Sequence, residues 1–141
     1  MIRSVFYFLG FIFFQFLVIS CNNIKNEKAI ANSFYIDLQQ KSYDKIIPLI
    51  DSSALAVSPK ETWTGLFEEK NKNFGKIISF ENIAFYSKNK DNNKLTKLKF
   101  KVKFEKKTLY ESLEIQSLNN NTPKILHYEY YENDFELLKE D

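Results

Sequence analysis

The chain has 141 residues, a formal net charge of +2 and 44% hydrophobic residues, which suits one domain with a core of its own. Near-balanced charge argues against nucleic acid as a partner, and Arg3 is the only arginine, so planar two-point recognition of phosphate is denied to everything downstream. With one cysteine and one histidine the chain has no intramolecular disulfide and no set of soft ligands for zinc, and no cofactor is expected.

Residues 1–20 place a basic start at Arg3 before an apolar run from Ser4 to Ser20. That order, ending on a small residue, is that of a secretory signal, and the run is at the lower limit for an uncleaved membrane-spanning helix. Val18-Ile19-Ser20-Cys21 resembles the lipobox of bacterial lipoprotein precursors. The resemblance implies that residues 1–20 are removed and that Cys21 becomes a lipid-modified N-terminus carrying palmitate-type acyl chains. At about 0.8 kcal/mol per buried methylene, two such chains anchor stably. Residues 21–26 then form a lipidated tether, and no thiol remains for catalysis. Asn22 is not the acidic residue that resembles an inner-membrane retention signal. The expected address is the bacterial cell envelope, on the outer membrane facing the periplasm in a Gram-negative cell.

From Glu27 a helical stripe recurs at Ile30, Phe34 and Leu38, widened by Ala31 and Tyr35. Ser42 is placed to cap a shorter helix with Tyr43, Ile46, Ile47 and Ile50, which Pro48 limits to about two turns. In Ser58-Pro59-Lys60-Glu61 the spacing predicts a capping box, with serine at the N-cap and proline opening a helix over 59–74. Trp63, Leu66, Phe67, Lys70 and Phe74 share one face of that helix, Lys70 lying along it by its methylenes, and Gly75 ends it.

Beyond Lys76 the period becomes two. Ile77 to Ser87 reads as a strand and residues 88–93 as a polar loop. Leu98, Phe100, Val102 and Phe104 then alternate with Lys97, Lys99, Lys101 and Lys103. Tyr110 to Leu118 and Lys124 to Tyr131 are the last two strands, joined by an Asn-rich turn ending in Pro123. Residues 132–141 form an acidic tail. Helices followed by strands predict an α+β fold, with N-terminal helices packed on a curved four-stranded antiparallel sheet.

This order looks like the NTF2-like, or cystatin-like cone, fold, and over residues 27–131 it is similar to small envelope proteins of the DUF4019 and DUF3887 kind. The matching pieces are Ser58-Pro59-Lys60-Glu61-Thr62-Trp63, Phe74-Gly75-Lys76-Ile77-Ile78-Ser79, Phe100-Lys101-Val102-Lys103-Phe104 and Lys124-Ile125-Leu126-His127-Tyr128. Pro123 stands where such families usually carry a tryptophan. The resemblance implies a cupped sheet with a cavity under the helices, and it transfers no catalytic residue.

Setting Phe104 opposite Leu109 pairs Leu98 with Ile115, Phe100 with Leu113, Lys99 with Glu114 and Val102 with Glu111. Glu111 then faces inward among apolar residues, joined by Leu126, Tyr128 and Tyr130. A buried carboxylate beside tyrosines suits a general base or a ligand-binding group, because burial raises its pKa. The plainer expectation is a rim carboxylate, hydrated or paired with a lysine or a tyrosine hydroxyl. His127 falls on the opposite face beside Glu114, as an exposed, salt-bridged histidine. The lysine stripe reads as a solvated face that discourages strand aggregation, and Trp63 as core or pocket lining.

The leading expectation is a non-catalytic envelope domain, tied to the membrane through Cys21, that binds an unknown protein or small apolar ligand at Glu111, Tyr128, Tyr130 and Trp63. An enzyme of isomerase or hydrolase type is the alternative, with Glu111 as base and Tyr130 or Tyr128 as hydrogen-bond donor. A third expectation is a structural lipoprotein that self-associates as a homodimer through its sheet.

Overall fold

The computed structural model describes residues 24–119 and 121–133. The leader, residues 21–23 at the start of the tether (Cys21 among them), Asn120 in the last turn and the tail beyond Asn133 lie outside the described residues. Helices precede strands in an α+β arrangement, and the strands form a four-stranded antiparallel meander in the order β1-β2-β3-β4.

Helix α1, Lys25–Gln39, buries Ala31, Phe34 and Tyr35 against the sheet, and with them Glu27. Gln39 fixes its far end by donating from Nε2 to the Ile77 carbonyl at 3.0 Å. Helix α2, Tyr43–Ile46, passes into a 3-10 turn, Ile47–Leu49, that contains Pro48. Ser42 precedes α2 but makes no side-chain cap.

A six-residue helix, α3 at Ser52–Val57, is an addition to the expected elements. Asp51 caps it, accepting from the Ser53 N–H at 2.8 Å. Asp51 also donates its own N–H to the Ile125 carbonyl at 2.8 Å, which ties the helix start to the sheet.

Helix α4 runs over Lys60–Phe74, and the expected capping box does not form. Ser58 already closes α3, its N–H donating to the Ala54 carbonyl at 2.9 Å, so Pro59 becomes the N-cap of α4. Gly75 ends α4 with φ +83, and a Cβ there would lie 2.5 Å from Glu105 Oε2 and 2.9 Å from its Cβ. The crowding arises because the β2–β3 turn docks on this corner. Glu105 N–H donates to the Lys76 carbonyl and Lys106 N–H to the Phe74 carbonyl, both at 3.0 Å.

Strand β1 covers Ile77–Lys90, β2 Asn93–Phe104, β3 Thr108–Leu118 and β4 Lys124–Tyr131. Residues 88–93 are therefore mostly strand, joined by a two-residue turn at Asp91 (φ 50) and Asn92 (φ 61). Left-handed geometry at both positions matches the twist of a tight hairpin, and Asp and Asn tolerate it. The run is polar because both faces of the hairpin are exposed there.

The β2–β3 register is two residues away from the expected one: Val102 faces Leu109, Phe100 faces Glu111, Leu98 faces Leu113 and Lys97 faces Glu114. Phe104 N–H donates to the Lys107 carbonyl at 2.8 Å, so the turn after Phe104 holds Glu105 and Lys106 alone, two residues fewer than Phe104 opposite Leu109 requires. A shift of two keeps every side chain on its expected face. In β4 an irregularity after Glu114 sets Ile125 opposite Ile115, so Ile125 is fully buried and Leu126, expected inward, is only half-buried.

The core lies between the helices and the inner sheet face. Tyr35 stacks on Phe80 with centroids 4.9 Å apart and meets Phe100 at 4.6 Å. Phe67 of α4 contacts Phe34 at 5.7 Å and Tyr128 at 6.0 Å.

Candidate functional site

Inside this core sits a small charged cluster. Residues Trp63, Phe67, Lys70 and Phe74 recur at intervals of three and four, so they line one face of α4. That periodicity turns the Lys70 ammonium toward the sheet. There its Nζ meets Glu111 Oε1 at 2.6 Å, with side-chain exposures of 4% and 0%. Lys70 also donates to the Tyr128 hydroxyl. Three rings surround the ammonium: Tyr128 at 4.7 Å, Tyr130 at 5.2 Å and Phe104 at 5.2 Å.

Glu111 reaches this position because β3 alternates, placing Leu109, Glu111, Leu113 and Ile115 on the inner face. Tyr130 is its cross-strand partner, as expected, although Tyr130 itself is 36% exposed. Lys70 is the partner that the stripe on α4 already contained. Placing Lys70 along the apolar face by its methylenes puts it on the right side of the helix but does not by itself join it to Glu111, although an inward carboxylate demands an inward cation.

Burial moves three of these groups. It lowers the Lys70 pKa, with the Glu111 charge and hydrogen bond opposing the shift. It raises the phenols of Tyr35 and Tyr128 well above the usual tyrosine value, and the Glu111 charge adds to both shifts. Both phenols are therefore neutral at physiological pH. The Tyr35 hydroxyl and Glu111 Oε2 are buried without a hydrogen bond of ordinary geometry among the described residues.

Open space near the cluster is water-sized. A void of about 20 Å³ borders Lys70, Phe67, Gln39, Gly75 and Phe104, room for about one water molecule. A larger concavity of about 130 Å³ lies outside the cluster, lined by Ser58, Thr62, Trp63, Leu66, His127 and Tyr128. Trp63 and Tyr128 thus belong to core and groove at once, and the buried Trp63 Nε1 has no hydrogen-bond acceptor among the described residues.

His127 lies opposite Glu114, as expected, and its half-exposed ring contacts Glu129 through Nε2. The lysine stripe occupies the outer face, with Lys101 and Lys103 exposed. Lys99 departs from the solvated pattern: it and Ser112, paired across the two central strands, are both buried. A second buried carboxylate, Glu27, bonds Lys94 at 2.9 Å and accepts from Ser117 Oγ at 3.2 Å. Its signal was its place four residues before Ala31 on the α1 stripe. Among the described residues no group of three or more His, Cys, Asp or Glu converges as a metal site, and no helix is long and apolar enough to cross a membrane.

Comparison of the chain with protein-family models, curated proteins and solved structures finds no match.

Proposed function

We propose that this chain is a lipid-anchored envelope domain that binds a partner or small apolar ligand without catalysing a reaction. The observation that carries the non-catalytic reading is the Lys70–Glu111 ion pair. An inward carboxylate already holding an ammonium, walled in by aromatic rings, has no free approach for a substrate proton. Such a pair fixes how helix and sheet meet. The address is supported by Val18-Ile19-Ser20-Cys21 alone, read from the sequence.

The groove between α4 and β4 is the place for a small apolar ligand, since Trp63, Leu66 and Tyr128 offer apolar surface beside the polar Thr62 and His127. Trp63 is the only tryptophan in the chain, so its emission reports this groove directly. Titration with anilinonaphthalene sulfonate is expected to quench Trp63, and Thr62→Tyr, which fills the groove, to abolish the quenching. Quenching that survives Thr62→Tyr, or none in the native protein, refutes the groove. Turnover of a ketosteroid that disappears in Glu111→Gln would overturn the non-catalytic reading. Mass measurement of the N-terminal peptide is expected to show acyl chains on Cys21 with residues 1–20 removed, and Cys21→Ser to abolish both the acylation and the removal.

A further inference from the structure

The end of the domain where α1 begins is also the end where the β1–β2 hairpin projects. Lys94, two residues past the hairpin turn, holds Glu27 in the first turn of α1 at 2.9 Å. Lys28 lies 5.3 Å above the ring of Phe85. Ile24 precedes Lys28 by one helical turn and follows Cys21 by three residues, and three residues of chain reach at most about 11 Å. An acylated Cys21 therefore keeps this end at the bilayer surface. The β2–β3 turn lies roughly 36 Å away along β2.

The surface at this end has the composition that an anionic bilayer selects. Residues 84–90 of β1 are exposed, on the open edge of the sheet. Phe85 is 55% exposed and Tyr86 61%, and they flank that edge from opposite faces. Lys88 and Lys90 follow on the same edge and Lys28 adjoins it, all exposed, while the acids here are Asp91 at the turn and Glu27, already paired. Aromatic rings favour the interface between headgroups and acyl chains, and lysines beside them favour anionic headgroups.

We propose that the outer half of β1, with Phe85, Tyr86, Lys88, Lys90 and the neighbouring Lys28, is a second membrane contact that rests on a bilayer of anionic phospholipid. The contact rests on the reading of Cys21 as a lipid anchor. It gives the anchored domain a defined orientation, with the β1 edge toward the membrane and the β2–β3 turn away from it.

The test uses the full chain, matured and acylated in a bacterium, so that a single introduced cysteine is the only free thiol. A fluorophore is placed at Asn89→Cys on the β1 edge or at Lys106→Cys in the β2–β3 turn. Each protein is reconstituted into phosphatidylethanolamine–phosphatidylglycerol vesicles containing a headgroup nitroxide lipid. Unchanged Trp63 emission reports intact folding. The label at 89 is expected to be quenched severalfold more than the label at 106. Phe85→Ser with Tyr86→Ser, or phosphatidylcholine vesicles, is expected to reduce that difference. Equal quenching of the two labels overturns the contact, and an undiminished preference in phosphatidylcholine overturns its anionic specificity. Mass measurement separates the two failures: acylated Cys21 with equal quenching rejects the contact alone, whereas an unmodified Cys21 rejects the anchor and the contact together.

Discussion

Replacing Lys70 by methionine leaves Glu111 fully buried with its ion-pair partner among the described residues gone. Removing one member of a buried pair typically costs about 3–5 kcal/mol, because the remaining charge is uncompensated. The structure orders the two single variants. After Glu111→Gln, Lys70 keeps the Tyr128 hydroxyl and three rings at 4.7–5.2 Å, and a desolvated cation–π contact is worth about 2 kcal/mol. Its lowered pKa also makes loss of the proton cheaper. After Lys70→Met, the Glu111 carboxylate keeps the neutral phenols of Tyr35 and Tyr128 beside it but no cation among the described residues. Lys70→Met is therefore expected near the top of that range, at about 5 kcal/mol, and Glu111→Gln near its bottom, at about 3 kcal/mol. The double variant Lys70→Met with Glu111→Gln removes both charges, closes the cycle with the two single variants and is expected to recover much of the loss. Urea unfolding followed by Trp63 emission and by circular dichroism measures all three. A coupling energy of roughly 3 kcal/mol or more is expected. Single variants costing under about 1 kcal/mol each, with an additive double variant, would refute the reasoning.

Alkaline stability follows from the same cluster. Tyr35 and Tyr128 ionise well above their ordinary value of 10.0 when folded, so above about pH 10 the unfolded chain releases protons that the folded chain keeps. Stability is expected to fall there by about 1.4 kcal/mol per pH unit for each phenol, and Tyr35→Phe to remove one share of that slope in urea midpoints measured against pH. Lys70 acts with the opposite sign, since its folded pKa lies below 10.5: its contribution rises with pH between that lowered value and 10.5, and Lys70→Met is expected to remove that rise. Gly75→Ala, at φ +83 and against Glu105, is expected to cost about 1–3 kcal/mol. Gly65→Ala, with open space around it inside α4, is expected to stabilise by up to about 1 kcal/mol, and thermal melts of the two variants give the contrast. Asp51→Ala removes the cap of α3 and is expected to cost about 1 kcal/mol, read from its unfolding midpoint.

Periodicity along the chain settled which side of each element faces inward. The stripe on α1, the helix over Lys60–Phe74 and the alternation through Leu98–Phe104 all follow from spacings of three to four or of two, which are properties of the local backbone. Glu111 and Lys70 were each legible as inward residues, Glu111 from strand alternation and Lys70 from the helical stripe. Their meeting was not. It depends on how far α4 stands from β3, and that distance is set by Phe67, Tyr128 and Phe104 packing between them. The β2–β3 register escaped for a related reason, since a slide of two residues leaves every face unchanged and only the turn at Phe104 selects among them. Residues 88–93 looked like a loop because polar residues mark exposure, and a hairpin extending past its helices is as exposed as a loop. The sequence by itself therefore determined the order of elements, their inward faces and the cysteine motif at the start. Only the tertiary structure decided which buried charges neutralise one another, because an ion pair depends on distances that the chain's local geometry does not contain.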